Sequence, residues 1–125
     1  TPEQMRLTNN YLIADLEQPL PLKTIAELKP DVALCLEVAE HLTPERAKTF
    51  VNDLCSIADI VIFSAAIPGQ GGTNHINEQP HAYWHNLFAE FGYKKQDVLR
   101  LAVAGCENVE WWYKQNIYTY KKIIN

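Results

Sequence analysis

Apolar residues along this chain gather in strand-length runs separated by stripes at helical spacing. Tyr11, Leu12, Ile13, Ala14, Asp15 and Leu16 form an apolar run ending in an acid, which predicts a buried strand over 11–16. Pro19 and Pro21 then break any regular element, and residues 22–28 suit a short helix stopped by Pro30. The run 31–36 does not alternate, so it predicts a strand covered on both faces. Thr43 can cap a helix, Pro44 suits its first position and Glu45 favours the positive end of its dipole. Ala47, Phe50, Val51, Leu54 and Ile57 follow as one amphipathic stripe. Residues 59–65, β-branched and aromatic, are a third strand. A long glycine-containing loop spans 68–80, and a helix over 80–91 ends at Gly92. The alternation in 95–101 and 112–122 predicts two further strands, joined by a loop with Gly105 and Asn108.

This order predicts an α/β fold: a mostly parallel sheet with helices on its faces and a C-terminal antiparallel hairpin. Ligands in such sheets bind beyond the carboxyl ends of the strands, here near Asp15, Leu36 to Val38, and 64–72. The 125 residues suit one domain or part of one. Hydrophobic residues at 47% and charged residues at 21% exclude a disordered or collagen-like chain. A formal net charge of −4 with no basic stretch argues against a nucleic-acid partner. No apolar run reaches the length of a membrane span, and the polar start over 1–4 is no signal peptide, so a cytoplasmic protein without membrane association is expected. Cys35, Cys55 and Cys106 lack zinc-like spacing and read as reduced, mostly buried thiols. The chain starts with Thr1 rather than Met, which suits a piece of a longer protein.

The run DVALCLEVAEHL at 31–42 and the TPERAKTFVNDL helix after it resemble the second half of a class I S-adenosylmethionine-dependent methyltransferase. So do the strand and loop DIVIFSAAIPGQGGTNHINEQ and the YWHNLFAEFGY helix. The tail WWYKQNIYTY is similar to the C-terminal strand of one broad methyltransferase subgroup, which also carries an EHL motif. The resemblance implies a partial Rossmann-like sheet, strands three to seven, with residues 1–125 as the C-terminal portion of a single methyltransferase-like domain. It also implies S-adenosyl-L-methionine as cofactor and transfer of its methyl group to an oxygen or nitrogen of a small-molecule or glycan-type acceptor. The family's first strand, glycine-rich turn and second strand, which hold the methionine and ribose of the cofactor, do not lie upstream of Asp15. A fragment of this kind is expected to be inactive alone, and its raw sheet edge could support self-association.

By that resemblance Asp15 and Leu16 match the adenine contact, and Leu36, Glu37 and Val38 match the segment that passes close to the cofactor. His41 stands where the family often has a histidine. With an unperturbed pKa of roughly 6.5 it is a candidate general base, or it packs under the helix start. In the loop, His75 and Asn77 are the candidates for touching an acceptor, with Glu78 beside them, and the glycines would let the loop move as a lid. The competing reading is a surface loop held by its own hydrogen bonds.

Three further signals carry less. GQGG at 69–72 looks like a phosphate loop, but no helix opens directly after it. His75, Glu78, His81 and His85 invite a metal, yet no metal-binding pattern such as HExxH appears and none is expected. Tyr83, Trp84, Trp111, Trp112, Tyr113, Tyr118 and Tyr120 suggest a stacking surface, but their spacing favours core packing, and Arg100 can simply pair with an acid. Two other functions stay open: a non-catalytic methyltransferase-like binding or assembly module, and a nicotinamide-binding oxidoreductase of similar layout.

Overall fold

A computed structural model describes residues 11–124 of the chain. The polar start at 1–4 lies outside the described residues. After a turn over 15–18 comes α1 (Leu22–Ala26), then β1 (Val32–Leu36), a 3-10 turn (Ala39–His41), α2 (Pro44–Ile57) and β2 (Ile60–Ser64). The 68–80 loop leads into α3 (His81–Glu90), β3 (Tyr93–Gln96), α4 (Val98–Val103), α5 (Trp111–Asn116) and β4 (Tyr118–Lys122).

The four strands form one mixed sheet in the order β1-β2-β4-β3. β1 and β2 run parallel, with Leu34 opposite Ile62 and Leu36 opposite Ser64. β4 runs antiparallel to both β2 and β3, with Phe63 opposite Tyr118 and Gln96 opposite Thr119. The α/β class and the terminal antiparallel pair therefore stand, but parallel pairing does not dominate.

One face of the sheet carries the core. Cys35, Val61, Phe63, Tyr93 and Tyr120 pack there against Phe50, Val51 and Leu54 of α2 and Trp84, Leu87 and Phe88 of α3. Phe88 stacks on Tyr120 at 3.8 Å between ring centroids and 6° between planes, while Phe63 meets Phe88 edge-on. Tyr93 closes the far end of the core, and its hydroxyl lies 2.6 Å from the Cys55 carbonyl oxygen and 2.7 Å from that of Ala58 at the end of α2. The Thr43 cap is present: its hydroxyl accepts the Arg46 N–H at 3.3 Å. The opposite face stays open on β1, where Val32 is 44% and Leu34 67% exposed, so β1 is not covered on both faces as its apolar run predicts.

Three other expectations change. Residues 11–16 form no strand, and the described part of the sheet begins at β1. A strand needs a neighbour for its backbone groups. This segment turns instead, with the Gln18 N–H donating to the Asp15 carbonyl, and docks on α2. The strand over 95–101 stops at Gln96, and Val98-Leu99-Arg100-Leu101-Ala102 becomes helix α4, since Leu, Arg and Ala are strong helix formers. The strand over 112–122 splits into α5 and β4. The final antiparallel pair is thus joined by two helices rather than by a simple loop. The three cysteines are free, but Cys106 is exposed rather than buried.

Candidate functional site

The site is built where β1 and β2 end. Glu37 follows β1 with φ +53, a left-handed conformation that costs a non-glycine residue about 1–2 kcal/mol. Its N–H is held there by Ser64, donating to the carbonyl at 2.9 Å and to the hydroxyl at 3.1 Å. The bend turns the chain directly into the 3-10 turn that carries Glu40 and His41. The Glu40 carbonyl accepts N–H bonds from both Ile76 and Asn77 at 3.0 Å, which binds this turn to the 68–80 loop.

A cavity of about 310 Å³ opens here. Glu37, Glu40 and His41 enter it from the strand end, and His75 from the loop. Ligand-capable atoms of Glu40, His41 and His75 lie within 4.8 Å of one another. Glu40 is fully buried, and neither carboxylate oxygen has a hydrogen-bond partner. His75 Nε2 lies 3.9 Å from Glu40 Oε1. Burial pushes the Glu40 carboxyl above the usual carboxylate range, and the nearby Glu37 charge adds to the shift, while the residue's own backbone N–H and the two imidazoles oppose it.

Both imidazoles are oriented from behind. His41 Nδ1–H donates to the Asn74 carbonyl at 3.1 Å, and His75 Nδ1–H donates to Glu78 Oε2 at 2.9 Å. These bonds fix the tautomers and leave each Nε2 with a free lone pair. The hydrogen bond from His75, with those from the Gly69 and Gly71 N–H groups, holds the Glu78 carboxyl below its usual range. Gly72 has φ +148, and a Cβ there would sit 2.5 Å from the His75 ring, so only glycine leaves the imidazole its place.

Glu37 is held from the other side. Its Oε1 accepts from Gln70 Nε2 at 3.2 Å and from Asn116 Nδ2 at 3.3 Å. Asn116, buried at the end of α5, also donates to Gln70 Oε1 at 2.7 Å and accepts from His81 Nε2 at 3.1 Å. Tyr118 OH donates to His81 Nδ1 at 3.2 Å, so the network runs from β4 to the cavity. The Glu37 Oε2 atom is buried without a partner.

A buried carboxylate with two orphaned oxygens, within 4.8 Å of a ligand-capable nitrogen of each of two imidazoles, fits a divalent cation. Glu40, His41 and His75 would hold it, with Glu78 and Asn74 as the groups that orient the imidazoles. No metal is expected from the sequence, where His75 groups with Glu78, His81 and His85 and no HExxH pattern appears. The structure instead gives His81 to Asn116 and sets His85 Nδ1 2.7 Å from Tyr120 OH. Glu40 is the residue that reading misses. Its signal is the spacing Glu37-x-x-Glu40-His41, two acids and an imidazole on adjacent turns.

The other candidate residues are dispersed. Asp15 is exposed, and its Oδ1 accepts the Glu17 N–H at 3.0 Å. The Leu16 carbonyl accepts from Arg46 Nε at 2.7 Å. Leu36 and Val38 flank Glu37, half-buried. Asn77 is buried, with its Oδ1 accepting from Gln79 at 2.7 Å, and Glu78 is taken up by the loop and His75.

No family model matches the chain, and no curated protein does. Among solved structures, the chain is similar to the crystal structure of the small RNA methyltransferase HEN1, with a TM-score of 0.52 and 16% identity over 76% of this chain. It is also similar to a pericyclic reaction enzyme, with a TM-score of 0.56 and 10% identity over 97% of this chain. The chain spans 14% of the first protein's length and 32% of the second's. The likeness is one of fold: an α/β chain with a four-stranded mixed sheet, compatible with part of a methyltransferase-like domain.

Proposed function

We propose that this chain is the acceptor-side part of a metal-assisted methyltransferase that modifies a hydroxyl of RNA, with S-adenosylmethionine as donor. The observation that supports it is the Glu40 carboxylate, buried with both oxygens unpartnered beside His41 and His75. A divalent cation held there supplies Lewis acidity, which lowers the pKa of a hydroxyl brought against it. Glu78 keeps His75 in the ligating tautomer. Gln70 and Asn116 engage one oxygen of Glu37 and leave Oε2 free, and we assign the hydroxyl proton to that oxygen. S-adenosylmethionine, when bound, would supply the methyl group to the acceptor oxygen and leave as the neutral thioether.

RNA as acceptor takes its support from the small RNA methyltransferase of similar fold. It departs from the small-molecule or glycan acceptor that the sequence resemblance implies, and from the expectation of no nucleic acid. The acidity of the chain, −4 overall, does not oppose it, since one nucleotide held at a cation needs no basic face.

Titration of the protein with Mn²⁺, followed by calorimetry and electron paramagnetic resonance, tests the reading. One site per chain is expected, weakened at least about tenfold by Glu40→Gln and by His75→Gln. The absence of any stoichiometric Mn²⁺ or Zn²⁺ binding would sink the proposal.

A further inference from the structure

Tyr83, Trp84, Trp111, Trp112, Tyr113, Tyr118 and Tyr120 are expected in the core, and three of them, Trp84, Tyr118 and Tyr120, are buried there. Trp111 is not. It is 56% exposed on the first turn of α5, yet it lines the same cavity as Glu40, His41 and His75. Trp112 beside it is half-buried and lines the cavity too, with the two indoles edge to face at 5.7 Å and 81°. The loop side of the cavity carries Gly71 and Gly72, which add no side chain there.

A large exposed indole costs free energy in water unless something covers it. Here its position next to the carboxylate–imidazole cluster says what that is. A ligand that reaches both must join a metal-seeking oxygen to a flat apolar ring. A nucleotide does so, with its ribose hydroxyl at the cluster and its base on the indole. The cavity, about 310 Å³, lies at the small end of ligand sites and fits one such unit rather than a duplex. Gln70, which lines the cavity with the indoles, and Gln115, in the same helix as them, are hydrogen-bonded to each other and to Asn116. No free polar group among them reads a base edge.

We infer that Trp111, supported edge-on by Trp112, stacks the base of an unpaired acceptor nucleotide, and that this contact selects single-stranded RNA without choosing the base. The inference rests on the RNA reading above and names how the acceptor is gripped.

The test is fluorescence anisotropy with a short labelled single-stranded oligoribonucleotide, run on the protein and on Trp111→Ala and Trp111→Phe. Stacking of one base is worth about 1–3 kcal/mol, so Trp111→Ala should weaken binding by about fivefold to a hundredfold, and Trp111→Phe by much less. Mn²⁺ affinity should stay within about twofold in both variants, because neither indole belongs to the cluster. An oligonucleotide whose acceptor residue lacks its base should lose the same factor on the wild type and little on Trp111→Ala. Equal RNA affinity for Trp111→Ala with Mn²⁺ binding intact would overturn the stacking inference and leave the metal reading standing. RNA binding that depends on Trp111 in a protein that binds no metal would do the reverse. A wild type that ignores the oligonucleotide overturns both the stacking and the RNA acceptor.

Discussion

At the scale of single residues, the tension sits in Glu40. An ionised carboxylate buried without hydrogen bonds is among the more costly arrangements a fold can hold. In the protein alone only its own backbone N–H and the imidazoles of His41 and His75, the latter with Nε2 at 3.9 Å, oppose that cost. Glu40→Gln keeps the shape and removes the charge. In chelator the variant should be more stable than the wild type by about 1 kcal/mol, read as a higher melting temperature. With Mn²⁺ added the order should reverse, since only the wild type gains the linkage term of a bound ligand. A variant already less stable in chelator would mean that the carboxylate is satisfied from within. Of this cluster, His41 and His75 are candidates in the sequence and Glu40 is not. Glu37, Glu40 and His41 share two short turns, and a histidine at 41 is a visible candidate. His75 joins them only because the Ile76 and Asn77 N–H groups tie the loop to the Glu40 carbonyl, a backbone contact that side-chain spacing does not announce.

At the scale of elements, α2 acts as an anchor as well as a cover. Arg46, buried in its first turn, bridges to Asp53 at 2.8 Å and donates to the carbonyls of Leu16 and Gln18. Asp53 also accepts the Leu20 N–H at 3.1 Å, and Glu17 accepts the Thr43 N–H at 2.8 Å. One cation therefore anchors residues 16–18, at the end of the 11–16 run that the sequence presents as a strand. Arg46→Met strands the Asp53 carboxylate and removes both carbonyl contacts, so it should cost about 3 kcal/mol in urea unfolding. The same variant should raise amide exchange across 16–20 while β2 stays protected. A loss under about 1 kcal/mol would show the bridge to be solvated. The helices α2 and α3 are legible because a cap, a proline and an apolar stripe agree. α4 and α5 are misread because runs of six residues satisfy both periods, and only their contacts decide between them.

At the scale of the whole molecule, the packing of α3 onto β4 ties stability to pH. His85 is wedged at this seam, 4.6 Å from the Tyr118 ring and hydrogen-bonded to Tyr120 OH. Burial lowers its pKa to about 4, helped by Lys95, His81 and Arg100 and opposed by Asp97. The folded state therefore refuses a proton that the unfolded chain accepts near pH 6.5. Stability contributed by the neutral ring is complete above pH 6.5, falls as the pH drops towards 4, and then levels off. The ring is only half-buried, so solvent screening limits the loss to about 1–2 kcal/mol. Carboxylates titrate over the same range, so the measurement is a comparison. Urea unfolding of the wild type and of His85→Gln, which can keep the bond to Tyr120, should give curves that converge as the pH falls. Curves that stay parallel from pH 7 to pH 4 would remove His85 from the account. The seam lies behind the cavity, since Tyr118 reaches Glu37 through His81 and Asn116. Loosening it with acid should therefore weaken Mn²⁺ binding in the wild type more than in His85→Gln.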